Sequence, residues 1–373
     1  MITYNQDILD QWKTRRTTGP FVTDNADFTG SPGDWTRMVA DANTFLNTDY
    51  PAGIVWSGIG QRADTYQDGS SPVGQVNDPI FGSSTALRYT RMMTAAFVDL
   101  VLETSTYKAA VKTVLLAQAQ ESGLDFSNES LFPKSAWSTS SDVAWTWAEW
   151  QIKFLKAYDY LGADYFTTSE QAIMEKWFMD GSEWHQYLIN VKCFDRLYVQ
   201  RGIPIENYQF DYQFKYSDRI FRNGPEYWNS GNWHNNRRSG QVNYVAHAGA
   251  LLGDTTMMES GANAFKECLA FWWYPEGYFM ELHRSNPDRP QAGLGYGPIT
   301  IHNMVAVAEV LNNVGYENLF DYTTNVYIES STGALTTGAT VKSIEWMLLQ
   351  LRANFLDAGA TLIYPDGSIG TST

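Results

Sequence analysis

The run Ser230-Gly231-Asn232-Trp233-His234-Asn235-Asn236-Arg237-Arg238 brings three amides, one imidazole and two guanidiniums together. It follows the breaker-rich Asn223-Gly224-Pro225 and precedes an apolar helical pattern. Neutral donors and cations at this density suit one task, which is to hold a carboxylate and stabilise extra negative charge on it. A second cluster, Glu281-Leu282-His283-Arg284 through Arg289 to Tyr296, supplies a group that can transfer a proton. Removing the proton beside a carboxylate places a second negative charge on that group. Preorganised donors around the oxygens lower this barrier by about 3–4 kcal/mol per well-placed donor. The predicted chemistry is elimination across a uronic acid, with the proton lost from C5 and the oxygen expelled from C4.

The base must be near and able to lose its own proton. A tyrosine titrates near ~10 in water, so it needs a neighbouring cation to act at neutral pH. Once protonated, it can donate to the leaving oxygen if both lie on one side of the sugar. Tyr296 is the candidate, with Arg289 seven residues before it and Arg284 nearby. Asn232, His234, Asn235 and Asn236 are candidate neutralisers of the carboxylate, and Arg237 is a further contact. The setting Gly293-Leu294-Gly295-Tyr296-Gly297-Pro298 allows close backbone approach and then starts a helix. A loop from Trp56 to Ser71 could rim the groove and bring Gln61 and Arg62 to substrate. Among the other histidines, His247 and His302 lie in apolar helical sequence and read as packed core residues, and His185 and His283 have weaker cases.

These groups need a scaffold, and the periodicity supplies helices. Trp147, Trp150, Phe154, Tyr158 and Leu161 recur at steps of three or four, so 142–161 is expected to be a helix with one buried aromatic face. Further helices are expected from Ser84 onward and at 107–120, 169–191, 241–252, 260–271, 299–314, 318–328 and 341–355. About ten helical segments and few convincing strands point to a mostly α fold. Paired antiparallel helices of this length suggest a toroid of hairpins. Residues 1–83 read as loop-rich, punctuated by Gly30-Ser31-Pro32-Gly33, Tyr50-Pro51-Ala52-Gly53 and Asp68-Gly69-Ser70-Ser71-Pro72. Residues 359–373 read as a short tail, and no linker divides the chain, so 1–373 is expected to form one domain.

Composition narrows the partners. The chain has 373 residues, 44% hydrophobic and 18% charged, which reads as globular. The formal net charge of -15 disfavours nucleic acid and anionic membranes as partners. An anionic polysaccharide would then need a local basic patch. Eight of the 15 arginines fall between Arg196 and Arg289, namely Arg196, Arg201, Arg219, Arg222, Arg237, Arg238, Arg284 and Arg289. No apolar run reaches membrane-spanning length. Cys193 and Cys268 read as buried thiols. The first residues lack the basic and apolar regions of a signal peptide. The expected setting is secreted or periplasmic with the signal absent from this chain, or otherwise a virus-encoded or cytoplasmic form. No cofactor is expected: there is no His-Glu-x-x-His, no Cys/His spacing for zinc, no phosphate loop and no dinucleotide fingerprint.

These motifs resemble the alginate-lyase-like superfamily of polysaccharide lyases, over about 142–322. Gly231-Asn232-Trp233-His234 precedes a helix, and Gly253-Asp254 follows it. Glu281-Leu282-His283-Arg284, Arg289 and Tyr296 are similar to the family in order and spacing. The resemblance implies an incomplete (α/α) toroid cutting a polyuronate by β-elimination. It implies Asn232 and His234 as neutralisers, Tyr296 as base and acid, and Arg289 as its electrostatic partner. Asn236 is the alternative to Asn232, because an Asn-Asn-His form of the motif aligns with Asn235-Asn236-Arg237. That alignment puts Arg where the form has His; Asn232 is preferred because Trp233 matches too.

Two rivals stand beside this reading. A glycoside hydrolase on a similar toroid would need two carboxyl groups across the scissile bond. Asp142, Glu149, Asp211, Glu226 and Glu281 are available, but none sits in a distinctive acidic pair. A non-catalytic glycan-binding protein would hold the polymer without releasing fragments.

Overall fold

The computed structural model describes residues 1–17, 34–55, 83–128, 141–187, 236–273, 292–328, 335–351, 361–363 and 369–371. Of these, 75% are helical, which makes the chain mostly α as expected. The described residues include two two-stranded antiparallel sheets. The chain forms two compact units, Met1–Ala136 with Thr146–Trp184, and Trp137–Trp145 with His185–Thr373.

The first unit is built on α1 (Gln6–Arg15), α2 (Asp34–Thr44), α3 (Ser83–Leu102), α4 (Lys108–Ala119) and the greater part of α5 (Ser141–Leu161) and α6 (Thr168–Tyr187), whose first five and last three residues respectively belong to the second unit. The sequence marks 1–83 as loop-rich, yet α1 and α2 lie there. Asn5 caps α1 by accepting from the Ile8 N–H at 2.9 Å. The aromatic face of α5 is buried as its spacing predicts. Trp147, Trp150, Phe154 and Tyr158 are enclosed, and the first three pack with Phe126 and Trp177 from outside the helix. The start of α6 is a reciprocal cap: the Thr167 hydroxyl accepts from Glu170 N–H, and Glu170 accepts from Thr167 N–H at 2.7 Å. The turn between α3 and α4 is held by buried Asp99. Its carboxylate accepts from the Thr104 hydroxyl and from the N–H groups of Thr106, Tyr107 and Lys108 at 2.5–2.9 Å.

The second unit centres on α7 (Asn236–Leu252), α8 (Thr255–Phe271) and α9 (Ala292–Asn313). Asp254 caps α8 by accepting from Met257 N–H at 3.0 Å, which closes a hairpin with α7. The helices approach closely at Gly261, where an added Cβ would sit 2.7 Å from Ala246 Cβ and 3.6 Å from Val307 Cγ1. β1 (Thr324–Ile328) pairs antiparallel with β2 (Leu335–Lys342), and α10 (Ile344–Leu351) follows. β3 (Thr361–Ile363) pairs with β4 (Ile369–Thr371).

Two expected helices are corrected here. Within 318–328 the chain forms β1, because Thr324, Val326 and Ile328 are β-branched and gain a partner strand. Within 341–355 the first residues complete β2. The helix begins only at Ile344, where the Ser343 hydroxyl accepts from Trp346 N–H at 3.1 Å. The expected helix at 241–252 instead starts five residues earlier, at Asn236.

Candidate functional site

On α7, every side chain described from Asn236 to Gly249 is buried, so the helix is sheathed on all sides. An enclosed helix is ordinarily apolar, but this one buries Asn236, Arg238, Ser239, Gln241, Asn243 and His247. Polar groups taken out of water are costly unless they find partners.

Three of the six, Arg238, Ser239 and Asn243, find partners on α8 and α9. Asn243 Nδ2 donates to Asn303 Oδ1 at 3.1 Å. Asn303 Nδ2 donates to Ser239 Oγ at 3.0 Å, and the Ser239 hydroxyl donates to the Asn236 carbonyl at 2.8 Å. The three bonds donate in one direction, toward the first residue of α7. His247 Nδ1 lies 2.9 Å from the Asn243 carbonyl. A carbonyl only accepts, so Nδ1 carries the hydrogen and fixes the tautomer. Arg238 pairs with Glu267 on α8 at 2.6 Å, and its guanidinium stands 5.7 Å from the centre of the Trp272 ring. Burial pushes the Glu267 carboxyl up, and Arg238 opposes that shift. The sequence reading counts Arg238 in a basic patch for substrate. Its side chain is instead enclosed and committed to Glu267, which leaves a pair of zero net charge.

The contacts fix how α7 and α9 run. Ser239 and Asn243 both meet Asn303, while Ala246 and Val307 meet the same point on α8 at Gly261. Rising numbers on one helix match rising numbers on the other, so the two are parallel. Asn236 at the start of α7 and Tyr296 near the start of α9 therefore share one end of the pair. Both helix N-termini point their positive ends there. Tyr296 is half-buried and precedes Asn303 by seven residues, two turns along the same face. The sequence reading sets Tyr296 ahead of a helix that starts after Pro298. The helix starts at Ala292 and carries Pro298 within it. Pro298 lacks the N–H that would bond the carbonyl of residue 294.

Of the other predicted residues, Asn236 is buried and Arg237 lies in the first turn of α7. Asn232, His234, Asn235, Arg284, Arg289, Gln61 and Arg62 lie outside the described residues, as does Cys193. His247 is buried as expected, whereas His302 is exposed. His185 is enclosed, with its ring 5.1 Å from that of Tyr244, and burial pulls its pKa down to about 3. Cys268 is a buried free thiol whose pKa burial pushes up.

Ser239, Asn243, Asn303 and Glu267 were missed in the sequence. A signal was present: polar residues at 236, 239, 243 and 247 repeat at steps of three and four inside an apolar stretch.

This chain matches no family model, no curated protein and no solved structure. Among the described residues, no three or more His, Cys, Asp or Glu gather as a metal site. No described helix is long and apolar enough to cross a membrane.

Proposed function

We propose that this chain is a polysaccharide lyase that cleaves a polyuronate, either alginate of the polymannuronate type or glucuronan, by β-elimination. One observation carries the reading. Tyr296 shares an end of the α7–α9 pair with Asn236, and the amide-rich run 232–235 immediately precedes Asn236 in sequence. Two helix N-termini converge at that end, which favours an anion even though the chain as a whole is acidic.

In the proposed reaction the Tyr296 phenolate takes the C5 proton. The electron pair left on C5 forms the C4–C5 double bond as the C4–oxygen bond breaks, and the phenol returns a proton to the departing oxygen. Asn232 and His234 neutralise the uronate carboxylate, Arg289 stabilises the phenolate, and Arg284, Asn235, Arg237, Gln61 and Arg62 contact the chain. Asn236 is buried and its carbonyl is engaged by Ser239. In this reading Asn232 is the amide that meets the carboxylate, and Asn236 is the alternative.

The second unit also supports the proposed (α/α) toroid. Parallel α7 and α9, joined through a returning α8, form the repeating element of such a ring, and an all-round buried α7 suits an inner helix.

The test is a screen of purified protein against polymannuronate, polyguluronate, alginate, glucuronan and hyaluronan. Elimination leaves an unsaturated product that absorbs in the near ultraviolet, and hydrolysis leaves none. Tyr296→Phe should abolish the signal with the fold intact. Release of saturated fragments would favour a glycoside hydrolase, and binding without release a non-catalytic glycan-binding protein.

A further inference from the structure

We infer that Asn303 is a positioning residue that, through Ser239, holds the start of α7 in register with Tyr296. The inference rests on the lyase reading for its link to catalysis, but the register it describes is independent of that reading. Asn303 sits on the same helix and face as Tyr296, two turns further on. It is buried, accepts from Asn243 Nδ2 at 3.1 Å and donates to Ser239 Oγ at 3.0 Å. Ser239 in turn donates to the carbonyl of Asn236, where α7 begins. One side chain thus connects the helix bearing the proposed base to the first turn of the helix that follows the proposed neutralisers.

Apolar packing between two parallel helices tolerates sliding and rotation, because it is non-directional. A buried amide pair does not, since displacement breaks its bonds out of reach of water. Buried asparagines fix register in helix pairs in this way, at some cost in stability. The alternatives at these sites are clear. Leucine at 243 and 303 with alanine at 239 would fill similar space and remove every polar atom. The amide version therefore specifies position rather than adding stability. An offset of about 1 Å at a reacting centre can cost ~100-fold in rate, so register is where such a ladder acts on turnover.

The experiment uses the full chain and compares Asn303→Leu, Ser239→Ala and the triple variant Ser239→Ala/Asn243→Leu/Asn303→Leu. On the most reactive polyuronate, Asn303→Leu should lower kcat at least tenfold with KM within about twofold. The triple variant should match the parent in urea midpoint yet keep the loss in kcat, which a merely structural role would not predict. Parent-like kcat in the triple variant overturns the inference. Should the parent release no unsaturated product from any uronate, the lyase reading fails and the register is read by hydrogen exchange. Amides in the first two turns of α7 should then exchange at least tenfold faster in the triple variant, with those of α8 unchanged. Equal exchange in parent and variant overturns the inference. If neither leucine variant folds, Ser239→Ala, which removes one hydroxyl, carries both readouts.

Discussion

Replacing Lys342 with methionine should stabilise this protein at neutral pH, and the gain should vanish as the solution is made alkaline. Lys342 ends β2 opposite Thr324 and is 1% exposed. Its amine donates to the carbonyl of Ala270 at 2.6 Å, in the last turn of α8. No carboxylate among the described residues pairs with it. Two effects oppose each other. A cation at a helix C-terminus meets a carbonyl with no partner in its own helix and the negative end of the dipole. Loss of water penalises the charged form far more. Burial wins, and the pKa falls from 10.5 to about 7.

The sign follows from proton counts. Between pH 7 and 10.5 the unfolded chain holds this proton and the folded chain increasingly does not, so stability rises with pH across that window. Below pH 7 the penalty is present in full. At about 1.4 kcal/mol for each tenfold, it amounts to roughly 4–5 kcal/mol. Methionine removes this penalty but leaves the Ala270 carbonyl unpaired, at a cost of about 1–3 kcal/mol. The variant should therefore gain about 2–3 kcal/mol at pH 6–7. The advantage should shrink steadily above pH 7 and change sign near about pH 9. Urea unfolding of parent and variant across pH 6–10 measures the difference, so other titrating groups cancel. A difference constant over that range would mean that the amine keeps its ordinary pKa when buried, and the argument would fail.

Other sites give sharper single measurements. Glu267→Leu strands the enclosed Arg238 guanidinium and should cost about 3–5 kcal/mol. Adding Arg238→Met should restore most of that loss, and a single variant within about 1 kcal/mol of the parent in urea unfolding would contradict the pairing. Asp99→Ala leaves three N–H groups and a hydroxyl without their acceptor and should cost about 3 kcal/mol. Asp99→Asn should cost less, and an unchanged melting temperature for the alanine variant would refute the clamp. His185 has a folded pKa of about 3, so its contribution is present above its unfolded value near 6.5 and is lost as pH falls through that window. His185→Phe should therefore move the acid-unfolding midpoint to lower pH; an unmoved midpoint would show that other groups control acid unfolding.

What the sequence disclosed depended on how local its signal was. The α5 face was legible because large aromatics at helical spacing have few other uses, and the start of α6 because Thr167 and Glu170 stand three apart. β1 was not legible. Thr324 to Ile328 is too short to distinguish from a helix by period, and its strand state depends on pairing with a segment about ten residues away. The start of α7 was misplaced because Asn236, Ser239 and Gly240 favour loops on their own. Asn303 and Glu267, both distant in sequence, give Ser239 and Arg238 partners inside the helix. Tyr296 was identified as a candidate on residue type, but its place inside α9 was hidden by Gly295, Gly297 and Pro298, which read as breakers.

That mismatch is itself informative about where this protein departs from a purely structural design. In α5 the enclosed face is built mainly from Trp, Phe, Tyr and Leu, with Gln151 and Asp159 as its buried polar side chains. In α7 an equally enclosed helix carries six buried polar side chains where alanine and leucine would propagate the helix better and cost no desolvation. Local preference and tertiary setting disagree there, and such disagreement concentrates at sites that hold a particular geometry. The ladder through Asn303 gives that geometry a direction, toward the end of the pair that Asn236 and Tyr296 share. The chemistry proposed for that end needs reacting groups fixed to within a fraction of a bond length. A non-catalytic glycan surface, satisfied by stacking and exposed hydrogen bonds, would place no such demand on the interior of α7.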